Sequence, residues 1–210
     1  MELADHNLSL GAWLDAAAAK RPTPGGGAVS AVVGALAAAM GEMVVHYSLG
    51  KRDLAIFEKD LSEALHRLHR ARAMLTELMR EDQHAFAALS DARKLPDSAE
   101  KSAVLLDATR LCIRVPMAIA ATSVSVLHVA AGIVEKSNRW LLSDLVVCAE
   151  LAMASCRCAR VNVRINLDAV PDMQERATLS EEIDQLHLRA LRLVQNVVPA
   201  IERRQGDPSD

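Results

Sequence analysis

The sequence predicts an all-α protein, an antiparallel bundle of long helices, on three observations. Alanine and leucine, the strongest helix formers, number 36 and 28 among 210 residues, while the aromatics that favour strands number five. Nine glycines and seven prolines leave little material for a turn-rich β architecture. The long segments carry apolar seams of period 3.5, the a/d packing of helical bundles. With 51% hydrophobic and 24% charged residues the chain can bury a sizeable core, and disorder is excluded. No repeat or linker divides it, so residues 1–210 are expected to form one domain.

The elements follow in order. A short first helix is expected over Leu8–Lys20, stopped by Arg21-Pro22-Thr23-Pro24-Gly25-Gly26-Gly27. A second runs from about Gly27 to Tyr47 and ends near Gly50, and a third from about Leu54 to Ala92, before Pro96. A fourth covers Ala99–Glu135, with Pro116 expected to kink or split it. A fifth spans about Arg139–Asn166 and a sixth Asp172–Arg204. The third helix carries the seam Leu61, Leu65, Leu68, Arg72, Leu75, Met79, Asp82, Phe86, Leu89, and the fifth Leu141, Asp144, Cys148, Leu151, Ser155, Cys158, Asn162, Ile165. Two segments, Gly25–Gly41 and Val115–Val134, are free of charge. They read as central helices of a bundle rather than membrane spans, and with the seams they predict a homodimer with at least one of them at the interface.

Composition excludes other classes. A net charge of −3 and a pI near 6.2 give no basic footprint for nucleic acid. The start, MELADHNLSL, has neither a basic nor a long apolar region, so no signal peptide is expected. Cys112, Cys148, Cys156 and Cys158 lie in apolar helical stretches and read as buried thiols of a reducing compartment, the cytoplasm. Glu63-x-x-His66 and Glu81-x-x-His84 resemble di-metal ligand pairs, but both fall on one helix, roughly 27 Å apart at 1.5 Å rise per residue. No metal is expected, and His66, His69 and His84 read as solvated.

The candidate chemistry lies where polar residues interrupt apolar seams. Asp82 stands between Met79 and Phe86; Asp144 and Asn162 interrupt the fifth helix. A carboxylate on an inner face is desolvated, which raises its pKa toward the range useful for proton transfer. The alternative is that each fixes helix register or turns to solvent. Pro24-Gly25-Gly26-Gly27 opens a helix whose free amides attract anions, with glycines that admit a ligand to the backbone; a plain tight turn is the alternative. It is neither a Walker loop nor a dinucleotide fingerprint. Lys51-Arg52 could hold an acidic tail or form a solvated surface pair.

Six motifs in order resemble the cyclodeaminase/cyclohydrolase family. That family comprises the cyclodeaminase domain of formiminotransferase-cyclodeaminase and stand-alone bacterial methenyltetrahydrofolate cyclohydrolases. Pro22-Thr23-Pro24-Gly25-Gly26-Gly27-Ala28 resembles its P-(A/T)-P-G-G-G opening, and Leu49-Gly50-Lys51-Arg52 its I-G-K-K. Asp82-Gln83-His84-Ala85-Phe86 resembles D-x-x-A-F, and Val115-Pro116-Met117 stands for V-P-L. Asn138 with Ser143-Asp144 resembles N-x-x-x-x-S-D, and Asn162-Val163-Arg164-Ile165-Asn166-Leu167 resembles N-V-x-x-N-L. The resemblance implies a helical homodimer with a folate-binding cleft and neither metal nor redox cofactor. By motif, Asp82 and Asp144 become the candidate catalytic residues. Pro24, Gly25, Gly26, Gly27, Lys51, Asn138, Ser143, Asn162 and Asn166 become candidates for substrate binding.

The implied activity is hydrolysis of 5,10-methenyltetrahydrofolate to 10-formyltetrahydrofolate. Formimidoyltetrahydrofolate cyclodeaminase and a non-catalytic pterin-binding dimer are the alternatives. Three departures bear on them: His46-Tyr47-Ser48 where the family has N-L-T, Trp140 where it often has Asn, and Val146 where it has Gly. A tryptophan and a valine near the pocket would reshape it.

Overall fold

A computed structural model describes residues 8–206, and every regular element among them is helical. The six α-helices are α1 (Leu10–Ala18), α2 (Gly26–His46), α3 (Glu58–Arg93), α4 (Ala99–Ile133), α5 (Leu142–Leu167) and α6 (Met173–Gly206). Short 3₁₀ turns occupy Arg52–Phe57, Val134–Lys136 and Arg139–Leu141, which is why α3 and α5 start later than the periodicity predicts. Local chemistry fixes the boundaries. The Ser9 side chain accepts the Ala12 N–H at 3.3 Å to cap α1, and the Ser98 side chain accepts that of Lys101 at 3.0 Å to cap α4. Asp172 accepts from the Gln174 and Glu175 amides and opens α6.

The helices α2, α3, α4 and α5 form the central bundle, and α6 lies against α4 and α5. Helices α2 and α5 run antiparallel at close range, because glycines on α2 meet side chains on α5. A Cβ at Gly26 would lie 3.3 Å from Asn162 Oδ1, one at Gly34 2.8 Å from Ser155 Oγ, and one at Gly41 3.2 Å from Cys148 Sγ. Between the helices Ser155 donates to the Ser30 carbonyl at 2.7 Å and lies 2.8 Å from the Ser123 hydroxyl, which satisfies polar groups in a wholly apolar surround. Pro116 neither breaks nor divides α4. It deprives the Cys112 carbonyl of its helical donor, and the Asn166 side chain supplies one at 3.3 Å.

The fifth helix departs from its expected seam. Its buried face runs Leu142, Leu145, Ala149, Ala152, Cys156, Ala159, Val163, and of the expected line only Cys148 and Ser155 are buried with it. α5 contacts three helices, so its buried arc is wide, and small residues blur the pattern that locates it. Cys112 is half-buried and Cys158 is exposed, against the expectation that all four thiols are buried. The charge-free parts of α2 and α4 are long and apolar enough to cross a membrane by length and composition, yet much of their surface is packed inside the bundle.

One side of α2 and α5 is left uncovered. On α2 the seam Val29, Val33, Leu36, Met40, Met43, Tyr47 steps by four and three, and Leu36 is 53% exposed. On α5 the seam Val147, Leu151, Ala154, Cys158, Val161, Ile165 does the same, with Val161 at 65% and Ile165 at 76%. The side-by-side contacts of α2 and α5 put both seams on the face opposite α3 and α4, so they form one apolar surface. The charge-free segment of α4, by contrast, lies in the protomer's own core through Ile119, Ala120, Leu127 and Ala130.

Candidate active site

Four elements converge at one end of the bundle. The N-terminus of α2 has no side-chain cap, because its N-cap is Gly25. Its orphan amides look for an acceptor, and α3 provides one: Asp82 Oδ2 accepts the Ala28 N–H at 2.8 Å. Gly27 makes this approach possible, since a Cβ there would fall 1.9 Å from Asp82 Oδ1. Thr23 and Pro24 are buried beneath the turn, joined by a cis peptide bond.

The resulting cleft, about 330 Å³, is lined by the Gly25–Gly27 turn, Asp82, Arg93, Cys112, Asn162 and Asn166, with Phe86 and Ile165 at its margin. Burial pushes the Asp82 carboxyl above its usual value, and the Ala28 amide opposes that only in part. Burial, then the charge of Asp82, pushes the Cys112 thiol up to about 11, so it remains a thiol at neutral pH. Both asparagines are held by backbone: Asn162 donates to the Cys158 carbonyl at 2.9 Å, and Asn166 to the Asn162 carbonyl at 2.9 Å. The Asn162 Oδ1 then sits against Gly26.

Of the residues singled out in the sequence, the structure unites Gly25, Gly26, Gly27, Asp82, Asn162 and Asn166, with Pro24 buried in the adjoining turn. It places Lys51, Asn138, Ser143 and Asp144 elsewhere. They lie at the opposite end of α2 and α5, roughly 30 Å away at 1.5 Å rise per residue. There the Asn138 amide nitrogen donates to Ser48 Oγ at 2.8 Å, its Nδ2 to the Tyr47 carbonyl, and its Oδ1 accepts the Trp140 N–H. Ser143 is exposed and Asp144 half-buried in the first turn of α5. His46, Trp140 and Val146 are also at that end, so none of them lines the Asp82 cleft of its own protomer. Arg72 is engaged by Glu42, at 2.7 Å and 3.2 Å, and not by Asp82 of the same chain.

Sequence reasoning missed Arg93 and Cys112. Arg93 had a signal: Asp82, Phe86, Leu89 and Arg93 continue the same four-three stepping, one position beyond where the apolar seam ends. Cys112 had none, because its place depends on how α4 packs beside α5.

An all-helical bundle that seats a partly buried carboxylate on a helix N-terminus beside two asparagines has the make-up of an enzyme's small-molecule cleft. Residues 9–185 match the model of the formiminotransferase-cyclodeaminase family, and the chain belongs to that family. It is similar to the methenyltetrahydrofolate cyclohydrolase of Methylorubrum extorquens, 32% identical over 86% of this chain and 88% of that protein. It is also similar to the formimidoyltransferase-cyclodeaminase of Rattus norvegicus, 30% identical over 95% of this chain, though it spans only 38% of that protein. The crystal structure of formiminotetrahydrofolate cyclodeaminase from Thermotoga maritima superimposes with a TM-score of 0.88 at 31% identity, covering 94% of this chain and 97% of that one.

Proposed function

We propose that the protein hydrolyses 5,10-methenyltetrahydrofolate to 10-formyltetrahydrofolate, as a cytoplasmic enzyme of one-carbon metabolism that works without metal or redox cofactor. The observation that carries this is Asp82, a desolvated carboxylate anchored on the Ala28 amide in a cleft open to a small molecule. The similarity to a cyclohydrolase over most of both chains supports hydrolysis, and the equal similarity to a stand-alone cyclodeaminase makes deamination the second reading.

The substrate carries a cationic amidinium carbon between two nitrogens. The Asp82 carboxylate attracts that cation and accepts a proton as water adds to the carbon. When the tetrahedral adduct collapses, the C–N bond to the departing ring nitrogen breaks, Asp82 returns its proton to that nitrogen, and the hydroxyl proton leaves as the formyl C=O forms. One proton is released overall. A raised pKa suits both roles, because the group must take a proton and give it back. The Asn162 and Asn166 amides bound the reacting centre, and Arg93 offers charge to the carboxylates of the substrate.

Mixing the protein with methenyltetrahydrofolate should abolish its near-ultraviolet absorbance faster than buffer does. Ammonia released from formiminotetrahydrofolate, with no such loss, would assign the deaminase reaction instead. Because Asp82 acts first as a base, kcat/KM should fall as pH drops through its raised pKa. The acid limb should therefore lie above the ordinary carboxylate value of 3.8.

The working unit in this proposal is a homodimer. The uncovered seams on α2 and α5 support it, since a contiguous apolar face of this length marks an interaction surface. The exposed thiol of Cys158 lies in the middle of that face and should react slowly with a thiol reagent at micromolar protein. Sedimentation as a monomer, or fast labelling of Cys158, would overturn the dimer.

A further inference from the structure

We propose that Pro116, which does not line the cleft, is a positioning residue of the active site: it leaves the Cys112 carbonyl for the Asn166 side chain to bind, and that bond holds Asn166 Oδ1 toward the substrate. This rests on the Asp82 chemistry proposed above and adds to it the group that aligns the attacking water. Three observations carry it. Pro116 is buried in the middle of an unbroken α4, a place from which proline is ordinarily excluded. Asn166 Nδ2 donates to two carbonyls, that of Asn162 on its own helix at 2.9 Å and that of Cys112 on α4 at 3.3 Å. Cys112 and Asn166 both line the cleft that Asp82 lines.

A proline inside a helix acts on the carbonyl four residues before it in two ways. It supplies no N–H, and its ring pushes that carbonyl away from the helix axis. At Cys112 both effects favour a donor from outside α4, and Asn166 is that donor. With both Nδ2 hydrogens committed, the amide is held against flipping, since a flip would set Oδ1 against two carbonyl oxygens. Asn166 Oδ1 accepts from no group among the described residues, and it is what the side chain offers to the cleft. Asn162 is held by one bond fewer, from its Nδ2 to the Cys158 carbonyl at 2.9 Å.

The chemistry needs such a group. Water adding to the amidinium carbon has two O–H bonds to direct. Asp82 accepts one and takes that proton as the C–O bond forms. Asn166 Oδ1 accepts the other without taking its proton, so an oxygen lone pair faces the carbon. Asn166 contributes only to the addition step, which puts its weight on kcat rather than KM. Pro116 acts at one remove. Pro116→Ala restores a helical N–H at position 116, the Cys112 carbonyl turns back to it, and the bond from Asn166, already at 3.3 Å, is lost.

A double-mutant cycle tests this. Pro116→Ala should melt no lower than the wild type, because alanine suits a helix interior far better than proline. It should nevertheless lose about fivefold in kcat for methenyltetrahydrofolate with KM little changed, the weight of one hydrogen bond. Asn166→Ala should lose at least about tenfold in kcat and melt several degrees lower, because the Cys112 carbonyl is then orphaned. The double variant should turn over no more slowly than Asn166→Ala and regain most of the lost melting temperature, since the new N–H at position 116 satisfies that carbonyl. Full kcat in Pro116→Ala, a further fall in the double variant, or no recovery of its melting temperature would overturn the lock. Melting is read without substrate. Recovery there, with ammonia release from formiminotetrahydrofolate in place of hydrolysis and the same order of kcat, would overturn the hydrolase reading and leave the lock standing.

Discussion

Replacing Asp82 by Asn should leave a folded protein that still binds a tetrahydrofolate ligand and turns it over at least about a hundredfold more slowly, the usual weight of an acid–base group. The amide is nearly isosteric, and its oxygen can still accept the Ala28 N–H, so the α2 terminus keeps its acceptor. It can neither take a proton from water nor return one. Stability should change in a defined sense. Folding raises the proton affinity of Asp82, so its contribution to stability is full below the unfolded pKa and is lost as pH rises through the raised one. The amide has no such dependence. The variant should therefore match or exceed the wild type in melting temperature at neutral pH and lose that advantage in acid. A variant that melts well below the wild type at neutral pH would make Asp82 a structural acceptor; one that keeps wild-type turnover would remove it from the mechanism.

Much of this site could be read from the sequence because it interrupts regular patterns. An aspartate inside the apolar stepping of α3 and a glycine run at the head of α2 stand out without any structure. Their meeting does not, because it depends on the crossing of α2 over α3. From the sequence alone the three glycines are equivalent, a ligand cradle or a plain tight turn. In the structure they differ: a Cβ at Gly25 would meet only the Pro22 carbonyl at 3.7 Å, while Gly27 lies against the carboxylate.

The second half of the motif set shows a different limit. Lys51, Asn138, Ser143 and Asp144 resemble family motifs as closely as Asp82 does, yet the antiparallel course of α2 and α5 sends them to the far end. Period-3.5 patterning reveals which face of a helix is apolar. It does not reveal whether that face meets the same chain or another. On α5 the packed face and the uncovered apolar face adjoin, so the expected seam falls between them. The proline of α4 was legible as a breaker, but its compensation was not: the Asn166 side chain that satisfies the Cys112 carbonyl comes from another helix.

Gly27→Ala should cost about as much turnover as removing Asp82 itself, roughly a hundredfold or more, while Gly25→Ala should be nearly silent. Helix propensity alone predicts the opposite at position 27. It lies in the first turn of α2, and alanine is favoured over glycine in helices by about 1 kcal/mol. Sterics decide against it. The new methyl would sit 1.9 Å from Asp82 Oδ1, 2.4 Å from Cγ and 2.8 Å from Oδ2, well inside contact distance for all three atoms. Either the carboxylate leaves the Ala28 amide or α2 moves away from α3, where Ala31 and Leu75 are fully buried and leave no slack. Overpacking of this kind costs typically 1–3 kcal/mol, enough to outweigh the propensity gain and lower the melting temperature by several degrees. Gly26→Ala falls between: its methyl would come 3.3 Å from the Asn162 amide, which can yield by a few tenths of an ångström. Steady-state kinetics of the three alanine variants would therefore give a steep order, position 27 far below 26 and 26 slightly below 25. Equal losses at all three would mean that the turn acts through its flexibility. Undiminished turnover at position 27 would mean that the seat of Asp82 on the α2 terminus has no part in the reaction.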